Sequence, residues 1–173
     1  MFRKIDKLET DRYFIRGLLQ GDYEGLFKAA SDPAIWAMHS EVDRYQASGF
    51  KMYFDKIFSL EAPMVVIDKS TSQIMGSSTF YDYDGKESKV LLGYSFLETK
   101  YWGGSSNLEI KRCLVNYALT FVKTVEFEIS PKNLRSRRAA EKIGAVFDRV
   151  TEKSLPNGLK QERSVYKISH PMT

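Results

Sequence analysis

The stretch Tyr101-Trp102-Gly103-Gly104-Ser105-Ser106-Asn107-Leu108-Glu109-Ile110-Lys111 constrains this chain most. An apolar run, Val90 to Leu97, precedes it and reads as a strand. After it, Ile110, Leu114, Tyr117/Ala118 and Phe121 recur near the helical period. A strand, a turn of small residues and a helix start make an anion cradle. The first N–H groups of a helix have no internal acceptor, and the macrodipole leaves partial positive charge there. Glycines let a phosphate come close to that backbone. Ordinary loops also contain Gly-Gly-Ser-Ser. The run is no Walker motif, because no Gly-Lys-Ser/Thr follows, and it lacks the spacing of the dinucleotide fingerprint.

The rest of the chain supplies strands and helices around this turn. Arg12 to Leu18 reads as a first strand. Gly21-Asp22 opens a helix, with Asp22 as its expected N-cap, and Asp32-Pro33 ends it. Ile35-Trp36 starts an irregular segment. From about Asp43 to Leu60, Tyr45, Phe50, Tyr53, Phe54, Ile57 and Phe58 cluster on one helical side. Such aromatics build a core or wall a pocket. Met64–Asp68, Ile74–Tyr81 and Val90–Leu97 are three successive strands joined by turns at residues 69–73 and 82–86. Val125 to Ile129 alternates as another strand. Leu134 to Ile143 is a short helix closed by Gly144. Ala145–Lys153 and Glu162–Ile168 form a hairpin around Pro156-Asn157-Gly158. The order β-α-α-β-β-β-α-β-α-β-β predicts an α/β fold: a mixed, mostly antiparallel sheet with helices on both faces.

Composition narrows the function. The 173 residues, 43% apolar and 13% aromatic, suit one globular domain over 1–173. No apolar run is long enough to span a bilayer, and the charged N-terminus lacks the apolar core of a secretory signal, so a cytoplasmic location is expected. Cys113 is the only cysteine, and His39 and His170 are the only histidines. That scarcity argues against Cys-His and Ser-His hydrolases and against a zinc site. A net charge of +4 suits an anionic ligand but does not demand nucleic acid. The basic cluster Lys132, Arg135, Arg137, Arg138 and Lys142 is either a solvated helix face or a phosphate contact.

The order of elements resembles the GNAT superfamily of acyl-CoA-dependent N-acetyltransferases, in the branch that includes the ribosomal-protein N-terminal acetyltransferases. The resemblance covers nearly the full length. Its motifs are Leu8 to Arg16, Asp32-Pro33-Ala34-Ile35-Trp36, Gly76-Ser77-Ser78-Thr79-Phe80, Trp102-Gly103 through Asn107 to Lys111, and Asn133-Leu134-Arg135-Ser136-Arg137-Arg138-Ala139-Ala140-Glu141-Lys142-Ile143-Gly144. The last block is the most specific.

The resemblance implies acetyl-CoA as co-substrate, held where strands Val90–Leu97 and Val125–Ile129 splay apart, with no metal. It implies pairing of the pantetheine arm with the backbone at Phe96 and Leu97, like an added strand. The pyrophosphate would lie on Trp102, Gly103, Gly104, Ser105, Ser106 and Asn107, with Asn133 and Arg137 as further cofactor contacts. Asn133, Ser136 and Ser95 are the catalytic candidates, with Ser136 placed to protonate the departing thiolate. The partners implied are acetyl-CoA and an amine acceptor, a peptide N-terminus or a small molecule, with the protein as monomer or homodimer. No membrane or nucleic-acid partner is implied.

Three departures stand out. The second glycine of the family's loop is Ser105. The family's frequent acidic residue, two before Gly93, is Leu91, which cannot act as a base; Ser95, Glu126 and Asp82 remain as substitutes. The helix from Leu134 lacks the tyrosine that many relatives use as an acid. A non-catalytic GNAT-fold protein that binds acyl-CoA or a protein partner is therefore the alternative reading.

Overall fold

The computed structural model describes residues 2–154, 158 and 160–169. One eight-stranded sheet runs β1 (Leu8–Glu9), β2 (Tyr13–Gly17), β3 (Ala62–Asp68), β4 (Ile74–Asp84), β5 (Lys89–Leu97), β6 (Thr124–Ile129), β8 (Lys160–Ile168), β7 (Val146–Ser154) in spatial order. Every neighbouring pair is antiparallel except β5 and β6. The helices are α1 (Tyr23–Ala29), α2 (Pro33–Trp36), α3 (Ala47–Phe58), α4 (Ser106–Leu119) and α5 (Leu134–Lys142). Among the described residues, no helix is long and apolar enough to cross a membrane.

Alternation along the strands divides the core in two. On one face, Ile15, Met64, Val66, Val90, Leu92, Val125 and Phe127 pack against Ile110, Leu114 and Ala118 of α4. On the other, Val65 and Phe96 meet Leu26, Trp36, Phe50, Tyr53 and Phe54 from α1, α2 and α3. The aromatic side expected between Tyr45 and Phe58 is that second core. Most of its rings meet edge-on or tilted, as Trp36 does with Tyr53 at 5.3 Å and with Phe96 at 5.1 Å, while Phe27 stacks on Phe50.

The expected order needs two additions, β1 and α2. The Asp-Pro pair is also reassigned. Helix α1 stops at Ala29, and Asp32-Pro33 starts α2: the Asp32 carboxylate accepts from the Ala34 N–H at 2.9 Å, and Pro33 takes the first turn. Ile35 and Trp36 are therefore helical, not irregular. Asp22 is no side-chain cap for α1. A 3₁₀ turn (Gln20–Asp22) carries its carboxylate back to the Leu19 N–H and to a two-pronged pair with Arg16, at 2.7 and 2.8 Å. Desolvation works against that carboxylate's charge, but Arg16 and the Leu19 N–H win and hold its pKa below the usual range.

Helix α3 is shorter than expected, starting at Ala47 and ending at Phe58. Gly144 ends α5 as expected, with φ +84° and its N–H on Glu141 O. Strands β7 and β8 form the expected hairpin, paired out to Ser154 and Lys160. Its turn at Pro156-Asn157 lies outside the described residues, as does His170.

Candidate active site

Strands β5 and β6 pair through only Lys89–Thr124, Val90–Val125 and Leu91–Glu126. Beyond that, β6 continues with β8, while β5 stays with β4. The two strands diverge and open a cavity of about 1180 Å³. A bulge in β5 shapes it. Register with β4 jumps from Thr79–Gly93 to Ser77–Phe96, and Tyr94 sits at φ +49°. Leu92 and Leu97, an odd number of residues apart, consequently share one core, while Phe96 joins the other.

Hydrogen bonds hold the bulge. Tyr53 Oη donates to Tyr94 O at 2.6 Å and lies 2.8 Å from Ser77 Oγ. Ser78 Oγ and Ser95 Oγ lie 2.7 Å apart, and Ser95 also reaches Gly93 O. Gly76 lets β4 run beside this distortion, since a Cβ there would stand 2.1 Å from Phe96 O. Ser95 thus lines the cavity, with its hydroxyl engaged in holding the bulge.

After β5, a 3₁₀ turn (Thr99–Tyr101) leads into the glycine turn and α4. Gly103 adopts φ +76°, and a Cβ on Gly104 would meet nothing within 4 Å. The cradle is therefore left-handed at one position and open at the next. Ser105 sits at φ −91°, an ordinary value, so its replacement of a glycine strains nothing. Its hydroxyl accepts from Arg12 at 2.7 Å rather than capping α4. Arg12 is fixed by Glu109, and Ser106 Oγ accepts from Tyr13 Oη at 2.7 Å. Gly103, Gly104 and Asn107 line the cavity; Ser106 instead lines a smaller depression of about 620 Å³ that Trp102 and Gly104 also border.

Helix α5 forms the far wall. Asn133 is its N-cap, with Oδ1 accepting from the Ser136 N–H at 3.1 Å; both residues line the cavity. Arg137 stands apart from it, donating to Tyr166 Oη at 2.9 Å and Pro131 O at 3.2 Å. Arg135 crosses the opening instead. It donates to Ala34 O and Ile35 O, and stacks 4.2 Å over the Trp102 ring. Trp102 Nε1 donates to Leu97 O at 2.9 Å, so that carbonyl already has one partner.

Three cavity residues escaped the sequence reading. Lys111 projects from α4 with its ammonium 5.4 Å from the Phe127 ring, and burial lowers its pKa to about 8. His39 lies against Trp36, and burial aided by Arg44, Arg135 and Arg163 lowers its pKa to about 4, so it is neutral at physiological pH. Glu126 pairs with Leu91, and Glu128, two residues further along β6, shares their face by the strand period. Glu128 lines the cavity, 3.8 Å from Lys153. Glu126 does not: Arg149 grips it at 3.0 and 3.1 Å, with Lys89 nearby. Asp82 is exposed and outside the cavity. The alternation of Val125 to Ile129 puts both glutamates on one face, and only their tertiary partners separate them. Among the described residues, no cluster of histidine, cysteine and carboxylate side chains is gathered to hold a metal.

The acetyltransferase (GNAT) domain family matches residues 12–146. No curated protein matches the chain. Among solved structures, a GCN5-related N-acetyltransferase from Brucella melitensis is 18% identical, with a TM-score of 0.83 over 96% of this chain and 80% of that one. An acetyltransferase of the GNAT family from Bacillus anthracis is 20% identical, with a TM-score of 0.75 over 94% and 98%. RimJ from Mycobacterium smegmatis, in complex with CoA-disulfide, is 13% identical, with a TM-score of 0.69 over 91% and 81%. The sheet order, the β5–β6 splay and the family match agree: the chain belongs to the GNAT acetyltransferases and is an acetyl-CoA-dependent acetyltransferase.

Proposed function

We propose that residues 1–173 act as one domain that moves an acetyl group from acetyl-CoA directly to a primary amine, with both substrates bound together. The observation that carries this is the continuous opening from the glycine cradle, past the β5 bulge, to a polar chamber under α2 and α3. The residues fit the co-substrate: Gly103 supplies the left-handed turn, Gly104 leaves open space, and α4 begins without a side-chain cap. RimJ, a fold neighbour, is solved with a CoA-disulfide, which supports the same use of the cleft.

Acetyl-CoA supplies an activated acyl thioester. The N–H groups of residues 103–107 hold its pyrophosphate, and the backbone at Phe96 and Leu97 orients the pantetheine arm. Asn133 fixes the start of α5 and so the position of Ser136. In the transfer, a nitrogen–carbon bond forms as the carbon–sulfur bond breaks. Glu128 takes the proton that the amine loses, in place of the missing acid at Leu91. Ser136 delivers a proton to the departing sulfur. Ser95 keeps the bulge in shape. An α-amine near pKa 8 has a neutral fraction roughly a hundred times that of a lysine side chain near 10.4, which favours α-amines as acceptors.

The test is thiol release from acetyl-CoA across a panel of α-amines, lysine peptides and small amines. Turnover with α-amines leading supports the proposal. CoA binding, seen as a raised unfolding midpoint, without turnover on any amine would overturn direct transfer and favour the non-catalytic alternative.

A further inference from the structure

The chamber beyond the β5 bulge is walled by aromatic rings and lined by guanidinium groups. Arg44, on the segment between α2 and α3, places its guanidinium carbon 4.8 Å from the Tyr53 ring centre and 5.4 Å from that of Trp36. Its side chain is 14% exposed, while its ion-pair partner Glu41 is 61% exposed. Tyr53 in turn donates to Tyr94 O. Arg44 therefore stands one tyrosine away from the bulge where the acyl group is expected.

Arg163, on β8, lines the same chamber, and its guanidinium donates to a neutral amide, Gln161 Oε1, at 2.7 Å. Burial lowers the pKa of Arg44; the Tyr53 and Tyr94 hydroxyls oppose this, and the positive charge of Arg163 adds a smaller lowering. Burial first, and then the charges of Arg44, Arg135 and Arg163, lower the pKa of His39. Three carboxylates also line the chamber. Glu41 pairs with Arg44, Glu128 pairs with Lys153, and Asp43 is exposed.

Two guanidinium groups facing one chamber repel one another, and the Glu41 carboxylate that pairs with Arg44 lies largely in solvent, where its compensation is screened. An oxyanion entering between them relieves that repulsion, and the planar guanidinium fork suits a carboxylate or a phosphate. A second ammonium on the acceptor would add to the repulsion instead.

We propose that the acceptor is a compact primary amine that also carries a carboxylate or phosphate group, held by Arg44 and Arg163. This rests on the amine-acetyltransferase reading and names its substrate class. The anion anchors one end of the acceptor, and the amine then reaches back past Tyr53 toward the bulge. Polyamines and other polycations are excluded by charge.

The experiment has two readouts. The first is direct binding by calorimetry to the CoA-loaded protein, using matched probes: L-serine against L-serinamide, 2-aminoethyl phosphate against ethanolamine, and putrescine. The second is kcat and KM for acetyl transfer to the same set. The anionic member of each pair should bind at least about tenfold more tightly, the scale of one charge-assisted hydrogen bond. The serine and phosphate arms tell which oxyanion is preferred. Arg44→Met and Arg163→Met should each shrink the ratio within a pair, chiefly through KM; Arg163→Met, on a different element, serves if Arg44→Met fails to fold. Equal binding within pairs, tighter binding of putrescine, or ratios unmoved by either variant would overturn the proposal. Selective anion binding without turnover of any amine would leave the Arg44–Arg163 anion site but overturn both the amine-transfer reading and the acceptor assignment built on it, whereas turnover without anion selectivity overturns the acceptor assignment alone.

Discussion

Gly103→Ala tests the cradle most directly. At φ +76° an L-residue meets its own carbonyl, and nothing else lies within 4 Å of the added Cβ, so the cost is purely that of the backbone. Left-handed placement of an L-residue costs about 1–2 kcal/mol. That cost has two places to appear. If the loop keeps its shape in the free protein, the unfolding midpoint falls by roughly 2–8 °C, from about 2–4 °C per kcal/mol at this size, and CoA affinity is unchanged. If the loop relaxes and must be rebuilt on binding, the midpoint holds and Kd for CoA rises roughly 5- to 30-fold. Together the two losses should amount to about 1–2 kcal/mol. Gly104→Ala is the control: its φ is not left-handed and its Cβ meets open space, so folding should be untouched. Any affinity it loses reports the approach of phosphate to the backbone. Gly103→Asn should recover part of the loss, because asparagine tolerates this region. Scanning calorimetry with and without CoA, beside titration calorimetry, measures both terms. A Gly103→Ala protein that matches wild type in both would refute the reasoning.

Other predictions follow from single side chains. Glu128→Gln should lower kcat by about 10²–10⁴, the range for a positioned base, with the folding midpoint held; an unchanged kcat removes Glu128 from that role. Glu126→Gln should do the reverse: buried against Arg149 and Lys89, its loss costs about 1–2 kcal/mol in a urea melt, discounted because Arg149 is partly exposed, while kcat stays put. His39 has a folded pKa of about 4 against 6.5 unfolded. Its contribution is full above pH 6.5 and is lost as pH falls toward 4, because the unfolded chain takes the proton first; about 2 kcal/mol should be gone by pH 5. His39→Gln should flatten that part of the stability–pH curve, and an identical slope in wild type and variant would show the histidine to be freely protonated.

Much of this was legible locally. Strand alternation, the helical spacing after Tyr101 and the glycine that ends α5 all depend on hydrogen bonds and side-chain periods within a few residues. They fixed the element order well enough to carry the family resemblance and to place Gly103, Gly104, Asn107, Asn133 and Ser136 around one opening. The misreadings arose where two local signals compete. Asp32-Pro33 can end one helix or begin another, and the Thr99 hydroxyl and Ala34 N–H that hold Asp32 are set by the fold. Asp22 had a cap's position, but a guanidinium from the neighbouring strand took its carboxylate.

The remainder belonged to tertiary structure. A bulge at Tyr94 reverses which side of β5 faces each core, and no alternation pattern shows where parity changes. Glu126 and Glu128 are equivalent by period, yet one is locked to Arg149 on β7 and the other lines the chamber. Arg135, Arg137 and Arg138 are neighbours on one short helix, but Arg135 reaches α2 while Arg137 turns to β8. The chain alone therefore determined its elements, its family and its cradle, because those rest on short-range periodicity and backbone conformation. Which carboxylate and which guanidinium face the chamber was decided by strand register and by partners distant in sequence, because long-range pairing selects among side chains that local chemistry leaves equal.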